Sequence, residues 1–150
     1  MGACPSIFTQ KIYSDKFVDY CSNGDLTNAK KYFDENPNID IHAKDEYAFC
    51  YSCCSGRLEV AQWLWSLNQN IDIHAENDYA FRLSCQNGCL EVVKWLCTLC
   101  DYYYLEHNDK KMIKWKILTK EEIEEKKFNK KLDEFVSPKI TIDPNTKINL

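Results

Sequence analysis

The spacing of apolar residues along the chain predicts pairs of short helices. Phe49 and Cys53 are four residues apart, which places them on one face of a helix. Gly56 then ends this helix, because glycine readily takes the left-handed conformation that turns the chain. A second helix is predicted from apolar residues spaced by three, three and one: Leu58, Ala61, Leu64 and Trp65. The pattern therefore predicts a helical hairpin.

The same pattern recurs every 32 residues. Residues 38–64 and 70–96 are identical at 17 of 27 aligned positions. Four residue types keep the interval through three units: Gly24, Gly56 and Gly88; Phe17, Phe49 and Phe81; Cys21, Cys53 and Cys85; Leu26, Leu58 and Leu90. Because one hairpin of this size cannot bury its apolar face alone, the repetition predicts hairpins stacked on a shared core.

The units are joined by a polar link. Residues 70–75, Asn-Ile-Asp-Ile-His-Ala, predict an extended segment. Asn77 or Asp78 is placed to cap the following helix through its side-chain oxygen.

Trp63 and Trp95 follow Leu-Glu-Val in successive units, and we predict that both rings belong to the core rather than to a contact surface.

Two segments resemble the ankyrin repeat. Residues 88–96, Gly-Cys-Leu-Glu-Val-Val-Lys-Trp-Leu, resemble the family's Gly-His-Leu-Glu-Val-Val-Lys-Leu-Leu, and residues 40–45 resemble its Asp-Val-Asn-Ala-Lys-Asp. The chain departs from the family where Tyr-Ala-Phe replaces Thr-Pro-Leu and where the period is 32 rather than 33. This variant is similar to arrays encoded by giant DNA viruses of the mimivirus type, which predicts a viral source.

The resemblance implies an all-α fold, a short helical-repeat solenoid with a degenerate C-terminal cap. It also implies that His42 and His74, which stand where the family has Asn, hydrogen-bond the backbone of the link. The expected organisation is an N-terminal segment, three repeats, a capping repeat or helix, and a tail or small hairpin: residues 1–13; 14–44, 45–76 and 77–107; 108–136; and 137–150.

Two interpretations of the C-terminal third remain open. Residues 109–136 form a degenerate capping repeat in the first. In the second, residues 113–117 alternate as a strand and pair with residues 102–104 across a turn at 107–110. In both, residues 119–122, Thr-Lys-Glu-Glu, are a capping box that begins a helix. Its predicted buried side carries Ile123, Phe128, Leu132 and Phe135.

Charge and composition narrow the functional classes. Apolar residues make up 45% of the chain, which is typical of a globular protein. Residues 1–107 carry 15 acidic and 8 basic side chains, which argues against nucleic acid as a partner. The sequence has neither an apolar run long enough for a membrane span nor a secretory signal, so we expect a cytoplasmic protein, in the host cytoplasm if it is viral. Its nine cysteines are then expected to be reduced.

Cysteine spacing raises an alternative, a zinc-stabilised structural module. The Cys-x-x-Cys pairs at metal-ligand spacing are Cys50 with Cys53, and Cys97 with Cys100. However, Cys53 shares its repeat position with Cys21 and Cys85, where the ankyrin family has a small core alanine. Free cysteine packs well as a small apolar residue, so we favour a structural role and expect no cofactor.

The amino terminus raises a second alternative, a membrane-tethered protein. Residues 1–6, Met-Gly-Ala-Cys-Pro-Ser, fit the myristoylation pattern with Gly2 as acceptor. Cys4 could carry a second acyl chain, and two chains anchor a protein stably whereas one does not. A membrane is therefore a partner only if Gly2 is acylated.

A non-enzymatic interaction module is the favoured function. The sequence shows no repeated pairing of nucleophile and base and no phosphate-binding glycine loop. The ankyrin resemblance implies an unknown protein partner, a host protein if the source is viral, held by the projecting links and the exposed side of the first helices. Those positions differ between units while core positions repeat: Lys44, Asp45, Glu46, Cys50, Cys54, Glu76, Asn77, Asp78, Arg82, Gln86 and Asn87.

Overall fold

A computed structural model describes residues 11–67, 70–109 and 112–136, and the side chains within 11–67, 70–105 and 114–132. The elements are α1 (Asp15–Asn23), α2 (Leu26–Glu35), α3 (Ala43–Cys54), α4 (Leu58–Ser66), α5 (Ala75–Gln86), α6 (Leu90–Leu99), β1 (Tyr103–Asp109), β2 (Met112–Ile117) and α7 (Lys120–Val136). In these ranges no helix combines the length and apolarity needed to cross a bilayer. The predicted acylation sites Gly2 and Cys4 and the tail 137–150 lie outside the described residues.

Three helical hairpins, α1–α2, α3–α4 and α5–α6, form the repeat body. Gly24, Gly56 and Gly88 have φ of 82°, 73° and 72°, so each glycine ends a first helix in the left-handed conformation as predicted. The first helices pack side by side, α1 on α3 and α3 on α5. The stacked hairpins confirm the predicted helical-repeat solenoid.

Aromatic rings interlock successive hairpins. Phe17 is 1% exposed and lies 6.2 Å from Trp63 of the next unit, between ring centroids. Phe49 is fully buried, and its ring centroid lies 6.2 Å from that of Trp95 in the third unit. The core role predicted for the two tryptophans is therefore confirmed, although both rings are only half-buried. The role predicted for Trp65 is wrong, because this ring is 38% exposed on the outer side of α4.

The links include the first turns of α3 and α5, where three successive residues other than glycine are left-handed. Residues 44–46 and 76–78 have φ between 51° and 63°, so the right-handed part of each helix begins after them. The capping role predicted for Asn77 or Asp78 is wrong, because a capping residue has extended dihedrals and these two are left-handed. The Asp78 carboxylate instead bonds His74 and Tyr103.

An antiparallel β-hairpin follows the third helical hairpin. Its register pairs Tyr103 with Ile117 and Asp109 with Met112, and an irregularity lies between Leu105 and His107. This confirms the strand interpretation of the C-terminal third over the helical repeat. The predicted turn at 107–110 is wrong, since both strands extend further and the connection falls after Asp109.

Helix α7 begins where predicted, but fewer of its apolar side chains are buried than predicted. The Thr119 amide donates to Glu122 Oε2 at 2.9 Å and the Glu122 amide to Thr119 Oγ1 at 3.3 Å, which is the capping box. Ile123 is 7% exposed, whereas Phe128 is 63% and Leu132 48% exposed. The predicted apolar face is therefore wrong beyond its first turn, the part of α7 that lies next to the β-hairpin. The Phe135 side chain lies outside the described ones.

Candidate functional site

In each left-handed link, a histidine side chain is hydrogen-bonded to the side chain of an acidic residue four positions later. His42 Nδ1 is 2.7 Å from Glu46 Oε1, and His74 Nδ1 is 2.6 Å from Asp78 Oδ1. The prediction that these rings bond the link backbone is wrong, because the left-handed turn brings the acid of the link to the ring instead.

The side chain four positions after each link acid contacts a backbone carbonyl oxygen of the same left-handed turn. Cys50 Sγ lies 3.9 Å from the Asp45 carbonyl oxygen. At the same repeat position of the next unit, Arg82 Nε donates to the Asn77 carbonyl oxygen at 2.7 Å. A left-handed residue other than glycine costs roughly 1–2 kcal/mol. These bonds hold the links in that conformation, so their shape is fixed before any partner arrives.

Two of the predicted contact residues are buried. Glu46 is 5% and Cys50 3% exposed. The Glu46 carboxylate also accepts from the Asp72 amide of the next link at 3.2 Å, so this side chain joins two units. We correct both residues from partner contacts to packing residues.

Three further predicted residues are engaged within the protein. Arg82 bonds its own link, and Asp78 Oδ1 accepts from the Tyr103 hydroxyl at 2.7 Å. Asn87 Nδ2 donates to the Cys54 carbonyl oxygen at the end of α3, at 2.8 Å. Six of the predicted positions have exposed side chains, and Cys54 is half-buried: Lys44, Asp45, Glu76, Asn77, Gln86 and, despite its bond, Asn87. Their role in binding stays a prediction.

A groove of about 330 Å³ lies between the two links and between helices α3 and α5. Its lining contains three tyrosines that the sequence analysis missed. The lining residues are Lys44, Asp45, Tyr47, Cys50, Tyr51, Glu76 and Tyr79. Tyr47 and Tyr79 share one repeat position, and that recurrence of an aromatic outside the core could have revealed the groove.

Two of the three tyrosines, Tyr47 and Tyr51, are in direct contact. The ring centroids of Tyr47 and Tyr51 are 4.3 Å apart, and their hydroxyl oxygens share a hydrogen bond at 2.9 Å. This hydrogen bond, together with burial, raises the pKa of Tyr51 to about 12. The Tyr51 hydroxyl therefore stays protonated at neutral pH, and its ring carries no charge.

Residues 17–114 match the family model of ankyrin repeats in three copies. The chain belongs to the ankyrin repeat family. No curated protein and no solved structure shows a significant match. Ankyrin repeats are generally non-enzymatic modules that bind other proteins, which is the coarse functional class of this chain.

The cysteines of this ankyrin-repeat protein favour packing over metal chemistry. Burial raises the pKa of Cys21, Cys50 and Cys85 to about 12, and it raises the pKa of Cys53 well above its ordinary value. Zinc binds the thiolate, which burial of this kind disfavours. Within the described parts of the chain, no three His, Cys, Asp or Glu side chains converge as a metal site requires.

Cys100, His74 and Asp78 lie in a row that superficially matches a catalytic triad. Cys100 Sγ is 3.8 Å from His74 Nε2, and His74 Nδ1 is bonded to Asp78. Cys100 is only 8% exposed and is the residue at which helix α6 ends. The same histidine–acid pair recurs at His42 and Glu46 beside a backbone amide. The pair is therefore a recurring feature of the ankyrin link.

Proposed function

We propose that this ankyrin-repeat protein is a non-enzymatic binding module that holds a protein partner on its links and on the exposed side of α1, α3 and α5. One observation carries the proposal: two units with matching backbones present different exposed side chains. Lys44 in one link corresponds to Glu76 in the next, and Asp45 corresponds to Asn77. Different side chains on a shared backbone shape are what a specific contact surface needs.

Preorganisation of the links supports this function. The bonds of His42 with Glu46 and of Arg82 with the Asn77 carbonyl fix the link backbone in the free protein. Binding then requires little ordering of the chain, which lowers its entropic cost. The acidic balance of residues 1–107 favours a basic or mixed-charge partner and salt-sensitive association.

A link-swap variant tests the proposal without changing composition. It carries Lys44→Glu, Asp45→Asn, Glu76→Lys and Asn77→Asp, so each link receives residues that the other link already holds in the same conformation. Glu46 and Asp78 stay unchanged because they bond within the fold. Tagged wild-type and variant proteins are compared by affinity capture from cells, with purified partner then measured by calorimetry.

The matched control swaps two exposed positions on the second helices, Gln62→Lys with Lys94→Gln. We expect the control to keep the partner and the link-swap variant to lose it, with the thermal midpoints of both unchanged. Retention of the same partner by the link-swap variant would remove the links from the binding surface.

The source of the partner is proposed from the sequence resemblance. A variant motif similar to that of giant-virus arrays favours a host protein encountered in the host cytoplasm. Capture from host-cell extract, set against capture from an unrelated eukaryotic extract, tests this. A partner present in both extracts at equal yield contradicts a host-specific role.

A further inference from the structure

We infer that the groove between the two links accepts an arginine side chain of the partner, stacked on Tyr51 and Tyr79 and paired with Asp45 and Glu76. This inference rests on the proposed function and names the chemistry that the same surface recognises. The groove volume of about 330 Å³ is ample for one guanidinium and its aliphatic stem.

The aromatic lining favours a cation. A positive charge over a tyrosine ring is attracted by the ring quadrupole, and the attraction grows as the pair is desolvated. The chain already contains such contacts: Lys44 Nζ lies 3.8 Å from the Tyr13 ring centroid, and Lys16 Nζ lies 5.2 Å from that of Tyr32. Among the described residues, no such cation lies over Tyr51 or Tyr79. No cation of the described chain therefore competes with a partner's cation for either ring.

The charged groups at the rim point to the same ligand. Asp45 and Glu76 are exposed carboxylates at the groove, and neither has an ion-pair partner within the described part of the chain. Among the residues that line the groove, the opposing charge is Lys44, whose ammonium lies closer to Tyr13 than to Tyr47, at 3.8 Å against 5.8 Å. Arg82 is not part of the lining, and its guanidinium is bonded to the carbonyl oxygens of Glu76 and Asn77. Two carboxylates against one engaged ammonium leave the lining with a net negative charge.

Arginine fits this groove better than lysine. Its planar guanidinium stacks on an aromatic face while its edge donates to carboxylates, whereas an ammonium is a compact and strongly hydrated point charge. A lining that combines ring faces with carboxylates offers both interactions at once. The expected preference is therefore arginine over lysine, and lysine over a neutral side chain.

The test uses a short arginine peptide as the probe. Backbone amide shifts of the full chain are followed by NMR during titration with acetyl-Gly-Arg-Gly-amide, and in parallel with the citrulline peptide, which has the same shape without the charge. We expect shifts confined to residues 44–51 and 76–79 and a dissociation constant on the order of 1–10 mM. Citrulline should bind roughly tenfold more weakly.

Three variants, each with the residue that the neighbouring unit carries at that position, locate the contact: Asp45→Asn, Tyr51→Leu and Glu76→Lys. Each should weaken arginine binding severalfold while the thermal midpoint stays unchanged. Glu91→Gln, on the exposed face of α6, is the matched charge control and should leave binding unchanged. Equal binding of both peptides, or shifts spread over the acidic surface, overturns the inference.

The outcomes separate this inference from the proposed function. If the link-swap variant loses its protein partner while the arginine peptide fails to bind the wild-type groove, the links still bind a protein but by other chemistry. If the peptide binds the groove while the link-swap variant keeps its partner, the groove is a cation site and the proposed partner surface is wrong.

Discussion

The third helical hairpin packs against the second hairpin on one side and against the β-hairpin on the other. At both contacts a tryptophan covers a buried phenylalanine. Phe49 is covered by Trp95 at 6.2 Å, and Phe81 by Trp115 at 5.6 Å between ring centroids. Tyr103 adds a stacked contact with Phe81 at 4.1 Å. The β-hairpin thus replaces the apolar cover that a further repeat would supply.

The carboxylate of the link acid also accepts a hydrogen bond from a different kind of donor at each contact. Glu46 accepts from the Asp72 backbone amide at 3.2 Å, whereas Asp78 accepts from the Tyr103 hydroxyl at 2.7 Å. A backbone donor of the next repeat is thus replaced by a side-chain donor of the β-hairpin. The comparison teaches that a terminal repeat needs an apolar lid and a hydrogen-bond donor, and that a different secondary structure can provide both.

The largest predicted effect comes from removing the tryptophans at both contacts. Trp95→Ala and Trp115→Ala should each lower the free energy of unfolding by ~3–5 kcal/mol, because each opens a cavity over a buried phenylalanine. Urea denaturation followed by circular dichroism measures this. Trp65→Ala gives the graded comparison, with a smaller loss expected because Trp65 is 38% exposed, although its ring also lies 6.4 Å from that of Phe49. A loss under about 1 kcal/mol for Trp115→Ala alone would show that the β-hairpin does not act as a repeat.

A smaller effect is expected from the hydroxyl that replaces a backbone donor. Tyr103→Phe removes the donor to Asp78 and should lower the free energy of unfolding by ~1–3 kcal/mol. Tyr104→Phe, at a ring 37% exposed, should change it by less than about 0.5 kcal/mol. Equal effects of the two substitutions would mean that the Tyr103 hydroxyl contributes nothing to the cap.

The same hydroxyl makes the cap sensitive to alkaline pH. Burial, and then the hydrogen bond to Asp78, raise the pKa of Tyr103 well above its ordinary 10.0. Above pH 10 the unfolded chain releases this proton while the folded chain keeps it, so stability falls as pH rises. The stability difference between wild type and Tyr103→Phe should therefore be constant below about pH 9 and narrow above pH 10. Denaturation curves from pH 7 to 11 measure it, and a difference that widens would contradict this reasoning.

The smallest predicted effect is the difference in stability loss when each of two turn glycines is replaced by alanine. Gly56→Ala and Gly88→Ala should each cost ~1–2 kcal/mol, because alanine disfavours the left-handed φ of 73° and 72°. Gly56→Ala should cost a few tenths more, since its Cβ would lie 3.1 Å from Cys89 Sγ, whereas nothing lies within 4 Å of a Cβ at Gly88. Thermal denaturation of both variants measures the difference, and the reverse order would place a close neighbour at Gly88.

Prediction from sequence succeeded where local spacing decides the structure. The period of 32, the glycine turns and the buried Phe49 and Cys53 follow from residues close together in the chain. Prediction failed at Glu46, Cys50 and Trp65, whose burial depends on what the neighbouring unit places against them. It failed again at Phe128, because an apolar helix face is buried only where another element reaches it.

The candidate site was only half visible in the sequence. Asp45 and Glu76 were identified as exposed, variable link residues, but the tyrosines beside them were not. Tyr51 becomes part of a groove only because the left-handed links bring residues of two units together.

The sequence by itself determined the repeating helical hairpin, since apolar periodicity and glycine conformation act within a few residues. Tertiary structure alone decided which link acids lie inside, how tyrosines and carboxylates assemble into one groove, and how a β-hairpin closes the stack. Those features depend on contacts between units about 30 residues apart, which packing geometry selects and local spacing does not encode.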